Sequence, residues 1–398
     1  MSKITLPDHN SCTGCGVCEI SCLKSAISMK PDEMGVFYPE IDYDICIGCG
    51  NCQRVCHLNK EIVLAKSNKI YAAFSNSKEE RESSASGGIA AELYKYARRN
   101  GWHSYGVEFN HNSNACYREL ITDEDYLKAK NSKYVFCDAK DVYKQISEQL
   151  SKGETVLFIG IPCQVAALIC FIGERKDNLI IVDLLCHGTC PVSYLNSHID
   201  SIERKKGKHA DEISFRDPQY FTHTYTFTIK NQNKVFYHMT PEQLDAYQIG
   251  YHKGLIYKEN CYHCKYTRKE RTGDLTISDF SGLGKLAPYN GSKRSVSCVI
   301  VSTEKGKKIL EELNKQGHIK TDQRPTEEAF KYDKMFQEPT IPHKGRQKFK
   351  ETYIRTENFE TAARSALQSE LKLNWIKMVL HVKEVRHLVS SIKHKLLH

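Results

Sequence analysis

The chain has 398 residues, of which 40% are apolar and 26% charged, with a formal net charge of +9 and 17 cysteines. This is the make-up of a folded protein of two or three domains, and it excludes a disordered chain. No run approaches the roughly 18 apolar residues of a membrane span, and the opening MSKITLPDHNSC has no apolar leader segment, so a cytoplasmic location is expected.

In a reducing compartment, tightly spaced cysteines are read as metal ligands before disulfides. Residues 1–62 hold a short internal repeat, CTGCGVCEISC and CIGCGNCQRVC. Cys12, Cys15, Cys18 and Cys22 follow C-x2-C-x2-C-x3-C, and Cys46, Cys49, Cys52 and Cys56 repeat it. Two-residue gaps let one tight loop supply three corners of an iron–sulfur cubane, while the fourth cysteine of each run reaches the other cluster. Cys12, Cys15, Cys18 and Cys56 are therefore expected around one [4Fe–4S] cluster, and Cys46, Cys49, Cys52 and Cys22 around a second. Gly14, Gly16, Gly48 and Gly50 suit loops whose amides approach the sulfurs closely. Zinc more often takes separated C-x2-C pairs. This stretch resembles two-cluster bacterial ferredoxins, with Leu23 and His57 standing where proline commonly follows the fourth cysteine.

Residues 59–69 read as a linker, after which strands and helices alternate. YAAFSN is strand-like, SASGGIAAELYKYARRNG reads as a helix with a Gly stop, and AKDVYKQISEQLSKG as another helix. The apolar strand ETVLFIG, the helix CQVAALICFIG and the apolar strand NLIIVDLLC form a parallel βαβ unit, followed by the helix PVSYLNSHIDSIERKKG. EISFRD, TYTFTIK and KVFYHM read as antiparallel strands, and DLTISDF and SVSCVIVS as further strands. The predicted fold is α/β and α+β: a ferredoxin-type module over 1–62, then a mixed α/β domain in parts 70–150 and 151–340, and a basic helical tail over 341–398. The pattern LKLNWIKMVLHVKEVRHLVSSIKHKLL is basic and amphipathic, which suits a helix packed on protein better than one lying on a membrane surface.

Cys163, after the first apolar strand, and Cys186, at the end of the second, fall at the carboxyl edge of the sheet if those strands are parallel neighbours. Cys261 and Cys264 in ENCYHCKY complete a set of four, although C-x2-C alone equally describes half a zinc site or a redox dithiol. Ser86, Gly87 and Gly88 open a helix, which suits either an ordinary cap or a pyrophosphate cradle.

GIPCQ, DLLCHG, CYHCKY and SDFSG, with SASGG and NSKY before them, resemble the beta subunit of the coenzyme F-420 hydrogenase/dehydrogenase family over about residues 70–340. The resemblance implies a third [4Fe–4S] cluster on Cys163, Cys186, Cys261 and Cys264, and FAD contacted by Ser86, Gly87, Gly88, Asn131, Ser132, Lys133 and Tyr134. The bland reading of Asn131–Tyr134 is a polar turn. Ser281 replaces the tryptophan often found in the D-F-W-G motif, which leaves a deazaflavin substrate open. Arg216 and Asp279 are candidate contacts to flavin or substrate, and His187 a neighbour of the third cluster. Cys116, Cys137, Cys170 and Cys298 read as core thiols. Since each cluster with its thiolates carries about two negative charges, three would offset about six of the nine positive ones, and no nucleic-acid partner is expected.

The expected function is an iron–sulfur flavoprotein oxidoreductase, passing electrons from the ferredoxin clusters through the third cluster to FAD and a small organic acceptor. The alternative is an electron-transfer subunit with no substrate of its own, docked to a donor or acceptor protein.

Overall fold

The computed structural model describes residues 4–60, 62, 64–65, 69–110, 114–174 and 176–380. The amino-terminal module contains the antiparallel hairpin β1 (Ile27–Pro31) and β2 (Phe37–Ile41), between two cysteine loops that each run into a one-turn helix, Val17–Ile20 and Asn51–Arg54.

An eight-stranded mixed sheet forms the body of the chain. Its strands are β3 (Lys69–Ser75), β4 (His103–Phe109), β5 (Ala115–Glu119), β6 (Val156–Gly160), β7 (Leu179–Leu184), β11 (Leu275–Asp279), β12 (Ser297–Val301) and β13 (Ile319–Arg324). A separate antiparallel sheet holds β8 (Glu212–Ser214), β9 (Phe227–Asn231) and β10 (Lys234–Met239), as the sequence leads one to expect. The large sheet runs β13-β3-β12-β11-β7-β6-β4-β5, with β4, β6, β7 and β11 parallel at its centre and antiparallel strands on both flanks.

The central strands are apolar along their whole length because both faces of the sheet are covered. Leu157 and Ile159 of β6 pack with Leu93 and Ala97 of helix Ile89–Arg99 and Leu310 and Leu313 of helix Glu304–Lys315. Val156 and Phe158 face the other way, onto Tyr143 and Ile146 of helix Lys140–Ser151 and Val165 and Leu168 of helix Pro162–Ile172. The ferredoxin-type module joins this second layer: Val17 is fully buried beside Ala139 and Val142.

Past residue 341, helices Arg346–Thr356 and Phe359–Ala366 are built into a third core, where Phe349 and Phe359 are fully buried against Tyr194. Helix Gln368–Val379 exposes several apolar side chains, including Leu373 and Trp375. The rest of the expected basic amphipathic segment, 381–398, lies outside the described residues. Among the described residues no helix is long and apolar enough to cross a membrane.

Candidate metal centres and the adjoining cleft

The two cysteine loops of the amino-terminal module share one backbone design. Gly14 and Gly16 take φ of 66° and 73°, and Gly48 and Gly50 repeat these values at 69° and 71°. At Gly14 a side chain is excluded twice over, since a Cβ would also lie 2.8 Å from the Phe37 carbonyl oxygen.

The thiols of this module fall into two electrostatically coupled groups. Cys12, Cys15 and Cys18 each feel Cys56, from the other run, whereas Cys52 feels Cys22, Cys46 and Cys49. Cys56 thus stands with the first run and Cys22 with the second. Burial first, and then the neighbouring sulfurs, push Cys15 up to about 12 and raise Cys12, Cys18 and Cys52. Four crowded thiolates repel one another, and a multivalent iron core removes that repulsion. Among the described residues no three His, Cys, Asp or Glu side chains converge as the ligands of a single ion would. A cubane takes its thiolates from separate iron corners, so the donor set fits a cluster.

Cys163 and Cys186 emerge where the parallel strands β6 and β7 end, at the carboxyl edge of the sheet. Cys163 lies in the first turn of helix Pro162–Ile172, and the short turn Glu259–His263 brings Cys261 and then Cys264 alongside. One small cavity is lined by all four. Burial, followed by the charges of Cys261 and Cys264, holds Cys186 up at about 12; burial likewise raises Cys163 strongly and Cys264 to about 11. The backbone at Gly188 favours the charged form of Cys186, and the backbone at Tyr266 that of Cys264. Gly188 has φ of 144°, and a Cβ there would lie 2.3 Å from the Tyr257 ring. Gly188→Ala is therefore expected to displace the Cys186 loop, lowering Tm and iron content together. Wild-type iron content in that variant would show that the loop tolerates the clash.

Next to this cavity lies a cleft of about 420 Å³, within the range of small-ligand sites. Ser86 and Gly88, Asn131 to Tyr134, Arg216, Asp279, Ser281 and Cys186 with His187 all reach its wall, from segments far apart in sequence. Gly87 does not. Its Cα packs against the sheet, where a Cβ would sit 2.4 Å from the Ala73 carbonyl oxygen and 2.7 Å from the Ser297 amide. The glycine lets the loop lie on β3 and β12.

The walls carry polar groups with spare capacity. Helix Ile89–Arg99 begins at the cleft with Gly88 as its cap at φ 81°, leaving first-turn amides for a ligand. Asn131 Nδ2 donates to the Ser83 carbonyl at 3.1 Å, yet its buried Oδ1 has no protein partner. The Lys133 ammonium donates to the carbonyls of Lys128 and Lys130 at 2.7 and 2.6 Å, and burial brings it down to about 7. Arg216 and the Tyr225 hydroxyl both donate to Asp279 Oδ2, at 3.0 and 3.1 Å. The free first-turn amides of helix Ile89–Arg99 fit a phosphate-bearing cofactor, while Lys133, whose three N–H groups are engaged by backbone carbonyls, and Ser86, whose hydroxyl donates to the Val296 carbonyl, shape the wall beside them.

Several residues at the centres have no signature in the sequence. Lys258 is buried, donates to the Thr13 carbonyl at 2.6 Å, and lowers the thiol pKa values of both Cys12 and Cys163. Cys190, which has no spacing partner, is buried with its sulfur 3.0 Å from the Tyr247 hydroxyl. His57 is held neutral by burial and by Lys265, at about 3. Cys137, Cys170 and Cys298 are buried, whereas Cys116 is only half-buried.

Residues 153–327 match the C terminus of the coenzyme F420 hydrogenase/dehydrogenase beta subunit, and residues 11–59 match the 4Fe-4S dicluster domain. The first span contains Cys163, Cys186, Cys261 and Cys264, and the second all eight cysteines of the repeat. A curated relative, an F(420)H(2) dehydrogenase subunit of Methanosarcina mazei, is 21% identical over 188 residues, covering 45% of this chain. The match spans about half of that relative, 54% of its length. A solved chain from the F420-reducing [NiFe] hydrogenase complex of Methanosarcina barkeri is 19% identical, with a TM-score of 0.44 over 66% of this chain and 84% of its own.

Proposed function

For a chain that joins a 4Fe-4S dicluster domain to a domain of the coenzyme F420 hydrogenase/dehydrogenase beta-subunit type, we propose the work of an iron–sulfur flavoprotein oxidoreductase. Cys12, Cys15, Cys18 and Cys56 hold one ferredoxin-type cluster, and Cys46, Cys49, Cys52 and Cys22 the other. Cys163, Cys186, Cys261 and Cys264 hold a third, and the cleft takes FAD and a small organic acceptor. FAD exchanges electrons singly with clusters and in pairs with organic molecules.

One observation carries this reading: Cys186 lines both the four-thiol cavity and the cleft, so a single residue connects the two chemistries. The helix amides would bind phosphate oxygens, while the Ser86 hydroxyl, donating to the Val296 carbonyl at 3.1 Å, and Lys133, donating to three backbone carbonyls, fix the loops that line the cleft. Arg216, anchored on Asp279 and set 4.4 Å from the Tyr225 ring centroid, orients whatever enters beside them.

A second reading, an electron-transfer subunit docked on a catalytic partner, is favoured by the outer end of the ferredoxin module. There Leu23, Ile45 and Ile47 are exposed beside the exposed Cys49. The matched relative is named as a subunit of a dehydrogenase.

Anaerobic purification with iron, sulfide and flavin analysis tests the proposal. About twelve irons and one flavin per chain are expected, at four irons per cluster. Brown protein with only eight irons, or one that takes up no flavin after reconstitution, would overturn it. Replacing the exposed Leu23 and Ile47 with Glu separates the two readings: turnover with a small acceptor survives under the first, and partner binding is lost under the second.

A further inference from the structure

We propose that His57 and Tyr266 form the electron bridge between the ferredoxin-type cluster of Cys12, Cys15, Cys18 and Cys56 and the third cluster of Cys163, Cys186, Cys261 and Cys264. The inference rests on the three-cluster reading above and deepens it by naming the junction.

His57 directly follows Cys56, at the position where two-cluster ferredoxins commonly have proline. Its ring is 1% exposed and both nitrogens are engaged. Nε2 shares a hydrogen bond of 2.9 Å with the hydroxyl of Thr13, the residue after Cys12. Nδ1 shares one of 2.6 Å with the hydroxyl of Tyr266, 209 residues away. Tyr266 lies two residues beyond Cys264 in the chain. A continuous route of covalent bonds and short hydrogen bonds thus runs from Cys12 and Cys56 to Cys264, with one imidazole and one phenol between them.

The surroundings fix this route in place. Lys265 donates to the His57 carbonyl at 2.6 Å, Lys258 donates to the Thr13 carbonyl at 2.6 Å, and Arg271 donates to the Tyr266 carbonyl at 3.1 Å. Lys258 and Lys265 place positive charge on this interface, where negatively charged clusters would otherwise repel, while Arg271 is paired with the buried Asp183. Tyr266 also feels the charges of both Cys15 and Cys163. Cys15 packs against the core shared with the sheet domain, whereas in the group of Cys46, Cys49, Cys52 and Cys22 it is Cys49 that is exposed. Electrons therefore come in at the exposed cluster, pass to the one beside His57 and cross to the third. At the crossing one electron leaves the first cluster and reduces the third by one; no bond is made or broken.

Tyr266→Phe tests this, because it keeps the ring and removes only the hydroxyl that His57 engages. Iron should stay at about twelve per chain. The rate at which dithionite-reduced ferredoxin clusters reduce the third, followed by freeze-quench electron paramagnetic resonance, should fall about tenfold, or about 1.4 kcal/mol of barrier. His57→Gln, which keeps a donor, should retain more of the rate than His57→Leu. In the wild type, magnetic coupling should be stronger between the third cluster and the His57-side cluster than between the third cluster and the exposed one. An unchanged rate in Tyr266→Phe at full iron content, or the reverse order of couplings in the wild type, would overturn the bridge while leaving the three-cluster reading intact. Absence of a third cluster from the wild type would overturn that reading instead.

Discussion

Cys186→Ser is expected to bring iron down from about twelve to about eight per chain while both ferredoxin-type clusters keep their spectra. Cys186 shares a cavity with Cys163, Cys261 and Cys264, and no other thiol among the described residues lines that cavity. A serine hydroxyl loses its proton far less readily than a thiol, and only the deprotonated group binds iron well. The eight cysteines of the repeat sit on separate loops with their own glycine turns, and nothing in their arrangement depends on Cys186. Because the same residue lines the cleft, acceptor reduction driven through the ferredoxin clusters should fall by at least about a hundredfold, some 2.7 kcal/mol on the barrier. Cys298→Ala is the control: Cys298 is buried in β12 among Ile70, Ala72 and Ile300, and its loss should cost stability without iron. A Cys186→Ser protein with all twelve irons, or a Cys298→Ala protein that lost four, would break the assignment of the third site.

How much of this could be read in advance follows from the range of the interactions. The paired ferredoxin motifs were fully legible, because a cluster loop is a local structure whose ligands lie two or three residues apart. The placement of Cys163 and Cys186 at one sheet edge was legible too, since near-continuous apolar runs such as VLFIG and LIIVDL belong to parallel strands covered on both faces. The hairpin of β4 and β5 was not, because His103–Phe109 and Ala115–Glu119 mix polar and apolar residues without a clean period. The helices after residue 345 read as tail because they are rich in charge, yet Phe349 and Phe359 anchor them in the core. In the sequence Gly87 suits either an ordinary cap or a pyrophosphate cradle, and in the structure its smallness serves the approach of its loop to β3. His57, Lys258 and Tyr266 meet only through the docking of the module onto the sheet domain. Contacts across more than two hundred residues leave no spacing to read.

Raising the pH above about 9 is expected to loosen the carboxyl-terminal helices before the sheet domain responds. His198, 1% exposed on helix Val192–Lys206, is held between Asp245 at 3.0 Å and Glu360 on helix Phe359–Ala366. Burial opposes its charged form, but the two carboxylates outweigh burial and lift it from 6.5 to about 9. Burial likewise opposes the charge on Glu360, but hydrogen bonding and attraction to His198 bring it down from 4.5 to about 2. The direction of each effect follows from linkage. The stabilisation from His198 is complete below its unfolded value near 6.5 and disappears as pH rises through about 9; that from Glu360 is complete above about 4.5 and disappears as pH falls through about 2. The contact is therefore strongest between about pH 4.5 and 6.5. Hydrogen exchange of the Phe359–Ala366 amides reads the basic limb, and once the base-catalysed rise common to all amides is removed, a further acceleration between pH 8 and 10 is expected there but not in β6. His198→Leu should remove that pH dependence and, by leaving two buried carboxylates without their cation, cost about 3–5 kcal/mol. A variant as stable as the wild type at pH 6, or an exchange profile in these amides no steeper than that of β6 across the basic range, would show that the buried imidazolium does not hold the helices down.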